Sequence, residues 1–500
     1  MWTALVSGTV AVSGVLATPA GESSAAAPVE IAPARDARVR AGPTLQTVDL
    51  SPVTGPSATG RGFSAPGTLR DGSAAGARTV APRTTGRFSL IGATWTDPRR
   101  VLGDIVEVRT RRATDGAWRA WQRLESDAAA PVEPGSGDAE AARGGTEPLW
   151  VGESNGVQAR IATGADRTLP AGLRVDLIDP GEPPAARAAP TASGLPQRPA
   201  RDRTKVTVPP RPAPTVVSRA RWGADESIVR GPHEYTSDVQ VVFVHHTAGT
   251  NDYSCAESAS IIRGIQAYHV MSNHWDDIGY NFLVDRCGTL FEGRAGGIGR
   301  PVLGAHTLGF NTRSSAIAVL GNYTERGVTS RVRRVIAQVA AYKIGAYGNA
   351  PAGRVAMSSR GGDRYAKGST AVLNRISGHR DAGRTACPGT ALYGRLGSIR
   401  RIAAAGPAGL AVAKVNGATR VRGAYYTRGT IRPYWRVSTP TTLLYRFDVF
   451  VDAVLTASAP RAAREQLLTL RPGRHTVRIR AVALNGRTSV TSAAVVVRRR

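Results

Sequence analysis

At 500 residues the chain exceeds what one ordinary core supports; at about 150 residues per domain it divides into roughly three units, which excludes a single compact domain. Hydrophobic residues at 42% and charged residues at 20% fit a soluble globular protein, while 56 Gly and 32 Pro leave room for long connectors. Lys+Arg 65 against Asp+Glu 37 give a net charge of +28, a field that attracts polyanions such as nucleic acid, anionic lipid or phosphate-rich wall polymer and names only that class.

Residues 2–20, WTALVSGTVAVSGVLATPA, hold an apolar run ending in small residues, with Val15-Leu16-Ala17 or Thr18-Pro19-Ala20 as a cleavage site, although no basic residue precedes Trp2. Residues 1–20 are therefore expected to be a secretory signal and the protein to be soluble and secreted, extracellular or associated with the cell wall. No later stretch reaches about 18 uninterrupted apolar residues, so no integral membrane segment is expected. Residues 21–85 are rich in Ala, Pro, Gly, Ser and Thr without sustained periodicity, the composition of a disordered leader. Short β-type runs at 88–95, 105–110 and 158–163, with hairpin signals at Asp115-Gly116 and Asn155-Gly156, predict a small all-β domain over 86–178. Its Trp95, Trp118, Trp121 and Trp150 read as core in preference to a carbohydrate-stacking face. Residues 179–215 mix Pro with Ala and Arg, the pattern of an extended, semi-stiff, cationic linker.

Residues 216–405 carry both periodicities. The run VQVVFV at 239–244 has the apolar continuity of a strand buried on both faces and ends at His245-His246-Thr247, the carboxyl end where α/β proteins place their sites. Ser254-Cys255-Ala256-Glu257 is a capping-box pattern, and Ile261, Ile262, Ile265, Tyr268 and His269 follow helical spacing, predicting a helix over about 255–270. Runs at 280–284 and 289–292 flank Asp285-Arg286-Cys287-Gly288 as a hairpin, and 316–320 reads as another strand. Val332, Val335, Ile336 and Val339 mark a second helix, and Leu392, Leu396, Ile399 and Ile402 a third. The expected architecture is multidomain: a central α/β domain with a mixed β-sheet flanked by helices, an N-terminal all-β domain, and a C-terminal immunoglobulin-like β-sandwich over 406–500. In the last of these, Tyr445, Phe447, Val449 and Val451 alternate with Arg446 and Asp448, and Val477, Ile479 and Ala481 alternate with Arg478 and Arg480 before an Asn485-Gly486 turn.

His245, His246, His269, His274, His306 and His379 all fall in the central region. His379 and Cys387 offer one imidazole and one thiol in GHRDAGRTACPG, and a histidine at the end of the buried strand makes a third ligand, the number expected where a fourth position stays open for water. Cys255 and Cys287 sit at element edges that a disulfide can join, leaving Cys387 beside His379; on sequence alone a Cys255–Cys387 or Cys287–Cys387 bridge stays open, and either would remove the thiolate.

The strings VVFVHHTAG, WDDIGYNFLVDRCGTLFEGRAGG, GAHTLGFN and GHRDAGRTACPG, in this order, resemble the zinc-dependent N-acetylmuramoyl-L-alanine amidase and peptidoglycan recognition protein family over about residues 216–405. The resemblance implies Zn2+ held by His245, His379 and Cys387, with Tyr280 assisting catalysis beside the metal. Thr385 stands where phage relatives carry a lysine, which makes it a candidate for a supporting role. The family's groove residues correspond to His269, His306 and Asn311, while His274-Trp275 stands where animal relatives carry Gly-Trp or Asn-Phe. The implied activity is hydrolysis of the amide between the muramoyl lactyl group and L-alanine of peptidoglycan, its glycan strand and stem peptide being the partner, alongside anionic cell-wall polymers.

The family also holds non-catalytic receptors, typically lacking the metal-binding Cys, so a peptidoglycan-binding or wall-anchoring protein is the alternative. A cysteine peptidase built on Cys387, His379 and Asp381 is a third reading. Nucleic-acid binding has only net charge behind it and no recognisable motif, so no nucleic-acid partner is expected.

Overall fold

The computed structural model describes residues 42–52, 78–102, 105–125, 130–162, 169–182 and 206–499. The expected signal at 1–20, most of the 21–85 leader and 183–205 of the linker lie outside the described residues.

Among the described residues the N-terminal strands form one antiparallel sheet in the order Thr44–Asp49, Arg174–Asp179, Arg78–Trp95, Leu149–Ala162, Ile105–Arg112, Gln122–Leu124. Phe88, Ile91, Trp95, Val106, Val157 and Leu177 fill its core. Two expectations fail here. Thr44–Asp49 falls inside the stretch read as a disordered leader, yet pairs residue for residue with Arg174–Asp179. Only Val48 of that strand is fully buried, so ladder pairing to a distant partner holds it, and no local pattern announces it. Asn155-Gly156 does not turn the chain either; it lies inside the long strand Leu149–Ala162. Gly156 admits the Arg83 carbonyl and the Arg111 side chain at 3.1 Å from where a Cβ would stand, and Asn155 Oδ1 accepts from Arg111 Nε at 3.0 Å. The Asp115-Gly116 turn forms, with Gly116 at φ 71.

Trp95 is core, its indole N–H donating to the Arg100 carbonyl at 2.9 Å. Trp118 and Trp121 are half-buried beneath Arg109 and Arg160, whose guanidinium carbons lie 4.3 to 5.3 Å from the rings. Trp150 has a different office: with Leu90 and Ile178 it enters the same apolar cluster as Trp222, Ile261, Ile265 and Tyr268 of the central domain. Each such large side chain taken from water contributes about 1.5–3 kcal/mol. Gly92 makes the approach possible, since a Cβ there would stand 2.5 Å from the Tyr268 ring.

The central sheet runs Leu290–Glu292, Phe282–Val284, Ser314–Val319, Val241–His246, Ile376–Gly378, with the first pair antiparallel and the rest parallel. The helix Ser258–Ala267, continued by a wider turn over Tyr268–Ser272, covers one face. The helices Ser330–Gly345 and Leu396–Ala404 cover the other through Val332, Ile336, Val339, Leu396 and Ile399, the residues whose spacing predicted them. Glu257 does reach back to the Ser254 N–H at 2.8 Å, although the helix starts at Ser258. The hairpin Arg354–Ser358 with Thr370–Asn374 was not expected. Cys255 and Cys287 are joined, which tethers the segment before the helix Ser258–Ala267 to the turn between Phe282–Val284 and Leu290–Glu292 and resolves the pairing that sequence left open.

The C-terminal domain packs a sheet of Ala411–Asn416, Thr430–Arg436 and Leu468–Thr469 on a second sheet built around Leu444–Val451, Gly473–Ala483 and Thr488–Val497. Trp435, Phe447, Val449, Val477 and Ile479 lie between them, a β-sandwich. The Asp448 carboxylate, although it alternates with the apolar side chains of its strand, is buried and receives Arg446 and Arg480 at 2.8 Å each. The end of the expected linker is anchored: Arg211 donates to the carbonyls of Ala341, Tyr342 and Leu484, stitching the long helix to the C-terminal sandwich. No helix of the described residues is long and apolar enough to cross a membrane.

Candidate metal centre

Val241–His246 is buried throughout and flanked by parallel strands on both sides, so strand alternation alone decides where its two histidines point. Val242 and Val244 enter the core beneath the long helix, and His246 follows their side, accepting the Tyr323 N–H on Nδ1 at 3.1 Å. Val241 and Phe243 enter the opposite layer with Met357 and Leu373. His245 continues that side and emerges on a cavity lined also by His379 and Cys387.

His379 opens the turn His379–Asp381 directly after Ile376–Gly378. The Asp381 carboxylate locks that turn by accepting the Gly378 N–H at 2.9 Å and the Tyr393 hydroxyl at 2.6 Å. Cys387 returns to the same place because its own N–H donates to the Thr385 hydroxyl at 3.0 Å and its carbonyl accepts the Arg380 N–H at 3.0 Å. One donor atom from each of His245, His379 and Cys387 lies within 4.8 Å of the others, and His245 Nδ1 stands 3.7 Å from Cys387 Sγ. Tetrahedral zinc with N and S ligands separates such a pair by about 3.6 Å, so the donor set fits that ion in chemistry and spacing. Burial holds His245 well below the ordinary histidine range, with the neighbouring His379 adding to it, and burial takes His379 down to about 3. Both imidazoles are therefore neutral, with lone pairs available for ligation.

The surroundings orient the set. His245 Nε2 lies 3.5 Å from the Thr307 hydroxyl, which in turn lies 3.0 Å from His306 Nδ1, so the ring's far nitrogen is held while Nδ1 faces the thiol. Tyr280 is buried with its ring 5.4 Å from that of His245. Burial, reinforced by Glu147, raises its phenol well above the ordinary value, so it is a proton donor, and Glu147 accepts from it at 3.3 Å. Thr385 lines the cavity as well. His269 accepts the Gly279 N–H on Nδ1 at 3.1 Å and stacks 4.4 Å from Trp275. His306 Nε2 is buried and has no hydrogen-bond partner among the described residues. The Asn311 carboxamide oxygen is taken by the His306 and Thr307 N–H groups at 2.9 and 2.8 Å, so Asn311 shapes the loop that carries both. Among the described residues no hydrogen bond joins Asp381 to His379, so a Cys–His–Asp relay is not formed; the Asp381 oxygens accept the Gly378 N–H and the Tyr393 hydroxyl.

Sequence reasoning missed the acidic residues that the N-terminal domain brings here. Glu125 and Glu147 line the same cavity, and Glu125 reaches within 3.4 Å of His246 Nε2. Arg294, inside one of the quoted strings, holds Asp138 of the N-terminal domain. Nothing in local pattern joins positions so far apart along the chain.

Residues 235–390 match the family model described as N-acetylmuramoyl-L-alanine amidase, and residues 43–196 match one described as Rv3811 N-terminal galactose-binding domain-like. Peptidoglycan-recognition protein SC2 of Drosophila simulans is 33% identical over 182 residues, which is 36% of this chain and 84% of that protein. The human N-acetylmuramoyl-L-alanine amidase is 33% identical over 186 residues, 36% of this chain and 27% of that protein. Among solved structures, wild-type Drosophila PGRP-LB is similar at 24% identity and a TM-score of 0.29, covering 37% of this chain and 93% of that one.

Proposed function

The chain belongs to the family of peptidoglycan-recognition proteins and N-acetylmuramoyl-L-alanine amidases, and we propose that it is a zinc-dependent hydrolase that cleaves the amide between the lactyl group of N-acetylmuramic acid and L-alanine. The observation that carries this reading is the clustering of two neutral imidazoles and one thiol on a cavity that also receives a protonated phenol. A receptor needs neither, and a thiol peptidase needs an oriented relay that Asp381 does not supply.

His245, His379 and the Cys387 thiolate would hold the ion. When bound, zinc supplies Lewis acidity that polarises the scissile carbonyl and makes water nucleophilic near neutral pH. The remaining work falls to the chain. Tyr280 donates its phenol hydrogen bond to the carbonyl oxygen as negative charge gathers there, exchanging Glu147 for the oxyanion. Thr307, backed by His306, keeps the His245 ring in one orientation. Thr385 holds the Cys387 backbone so that Sγ stays aimed at the set. Action outside the cytoplasm is supported by the Cys255–Cys287 bridge, which persists in oxidising compartments. The net charge of +28 suits retention on anionic wall polymer.

Metal analysis tests the reading. The purified full chain is expected to carry about one zinc per molecule, and chelation is expected to abolish release of L-alanine amino termini, restored by added zinc. Binding of peptidoglycan without turnover would make it a receptor; hydrolysis that survives chelation would make it a thiol enzyme.

A further inference from the structure

The groove beside the metal set is already filled by the chain itself. Residues 130–143 run along the central domain, and the chain then rejoins the N-terminal sheet, where Gly144–Gly145 pairs with Thr94–Trp95 before Thr146 and Glu147 reach the cavity. Asp138, in the short helix Gly137–Glu140, presents both carboxylate oxygens to Arg294 Nη2 at 2.6 and 2.7 Å and accepts the Asp276 N–H at 2.7 Å. Glu133 accepts from the Asn311 N–H at 3.1 Å, the Thr312 hydroxyl at 2.9 Å and Arg360 at 2.7 Å. The Pro131 carbonyl takes the Asn311 carboxamide at 2.7 Å, and Ala130, Val132 and Ala142 pack on Trp275 and Ala305. Farther along, the Thr146 carbonyl accepts the Tyr268 hydroxyl at 3.2 Å and Glu147 receives Tyr280.

These contacts cover the positions expected to meet substrate. His269, His306 and Asn311 are at most 2% exposed, and the cavity left at the metal set measures about 40 Å³. That is room for about three waters; a sugar bearing a peptide needs a cleft of several hundred Å³, of the order of 300–1,000 Å³. The chemistry of the occupant is equally specific. It is a stretch of peptide whose carboxylates pair with Arg294, Arg360 and Tyr280, and the stem of peptidoglycan is also a peptide rich in free carboxylates.

We propose that residues 130–147 are an internal ligand of the groove, standing where the carboxylate-bearing stem peptide binds, so that the segment and the stem exclude one another. This rests on the peptidoglycan reading above. The apparent affinity for stem peptide is then the intrinsic affinity reduced by the fraction of molecules in which the segment has left, and weakening the segment's anchors raises that fraction.

The test uses the zinc-loaded full chain and free stem tripeptides, L-Ala-γ-D-Glu followed by diaminopimelate or lysine, which lack the scissile amide. Calorimetry on the unaltered protein and on Asp138→Asn with Glu133→Gln should give at least about tenfold tighter binding in the variant. In the unaltered protein, amide exchange over 130–147 should rise when tripeptide is added. Asp138→Asn leaves Arg294 with less counter-charge, so Tyr268→Phe, which removes only a hydroxyl bonded to Ala93 and Thr146, is measured beside it and should shift affinity in the same direction by a smaller factor. Equal binding by all three proteins, with exchange over 130–147 unmoved by ligand, overturns the internal ligand while leaving the peptidoglycan reading intact. Absence of binding to all three overturns that reading, and the internal ligand with it.

Discussion

Replacing Cys387 with alanine is expected to abolish both zinc retention and hydrolysis. As a thiolate Cys387 would be the one anionic ligand of the set, and its Sγ stands 3.7 Å from His245 Nδ1, a spacing that one zinc ion can span. Changing residues that merely orient zinc ligands costs about 10–100-fold in affinity or activity, so loss of a ligand should exceed about 100-fold in both. His245→Ala and His379→Ala should behave alike, since each supplies one of the three donors. His246→Gln is the control. It sits beside His245 but on the opposite side of the strand, bonded to the Tyr323 N–H, and should keep its zinc even if it loses stability of about 1–3 kcal/mol from a disturbed buried hydrogen bond. Metal content after dialysis, measured with the hydrolysis rate, checks all four variants.

Tyr280→Phe is expected to separate metal from chemistry. The ring stays to fill its buried site against His245 and His269, so zinc should remain stoichiometric. What disappears is one hydrogen-bond donor that matters when charge develops on the carbonyl oxygen, and such donors are worth about 100- to 1000-fold in kcat. KM should change little, because the ground-state carbonyl has less claim on the phenol than the oxyanion does. Because burial and Glu147 keep the phenol protonated far above neutrality, the ratio of the two rates should be flat between about pH 6 and 9. If Tyr280→Phe lost its zinc, the residue would belong to the metal's support and not to the chemistry.

Much of this was legible locally. The run ending in His245 and the helix spacings of Val332, Ile336 and Val339 are periodic signals, and periodicity reports which face of an element is buried. Residue types alone grouped His379, Cys387 and a histidine at the end of the buried strand, but motif order was needed to single out His245, since the geometry depends on the chain returning to Val241–His246 through Ile376–Gly378. Two kinds of information were not legible. Pairing that depends on a remote strand, as at Thr44–Asp49, leaves no pattern where the strand itself is polar. Gly156 shows the converse, a turn signal used for close approach inside a strand. The meeting of Asp138 with Arg294 is likewise a property of how two folded units dock, and each partner alone reads as an ordinary surface charge.

The most direct test of the amidase assignment is the identity of the bond cut. Purified peptidoglycan is incubated with the zinc-loaded full chain and, in parallel, with the Asp138→Asn, Glu133→Gln variant, and the products are assayed for new amino termini and new reducing sugars. The predicted result is new L-alanine amino termini with reducing ends unchanged, more rapidly from the variant. Release of reducing sugar, or new termini at any residue other than L-alanine, would contradict the assignment.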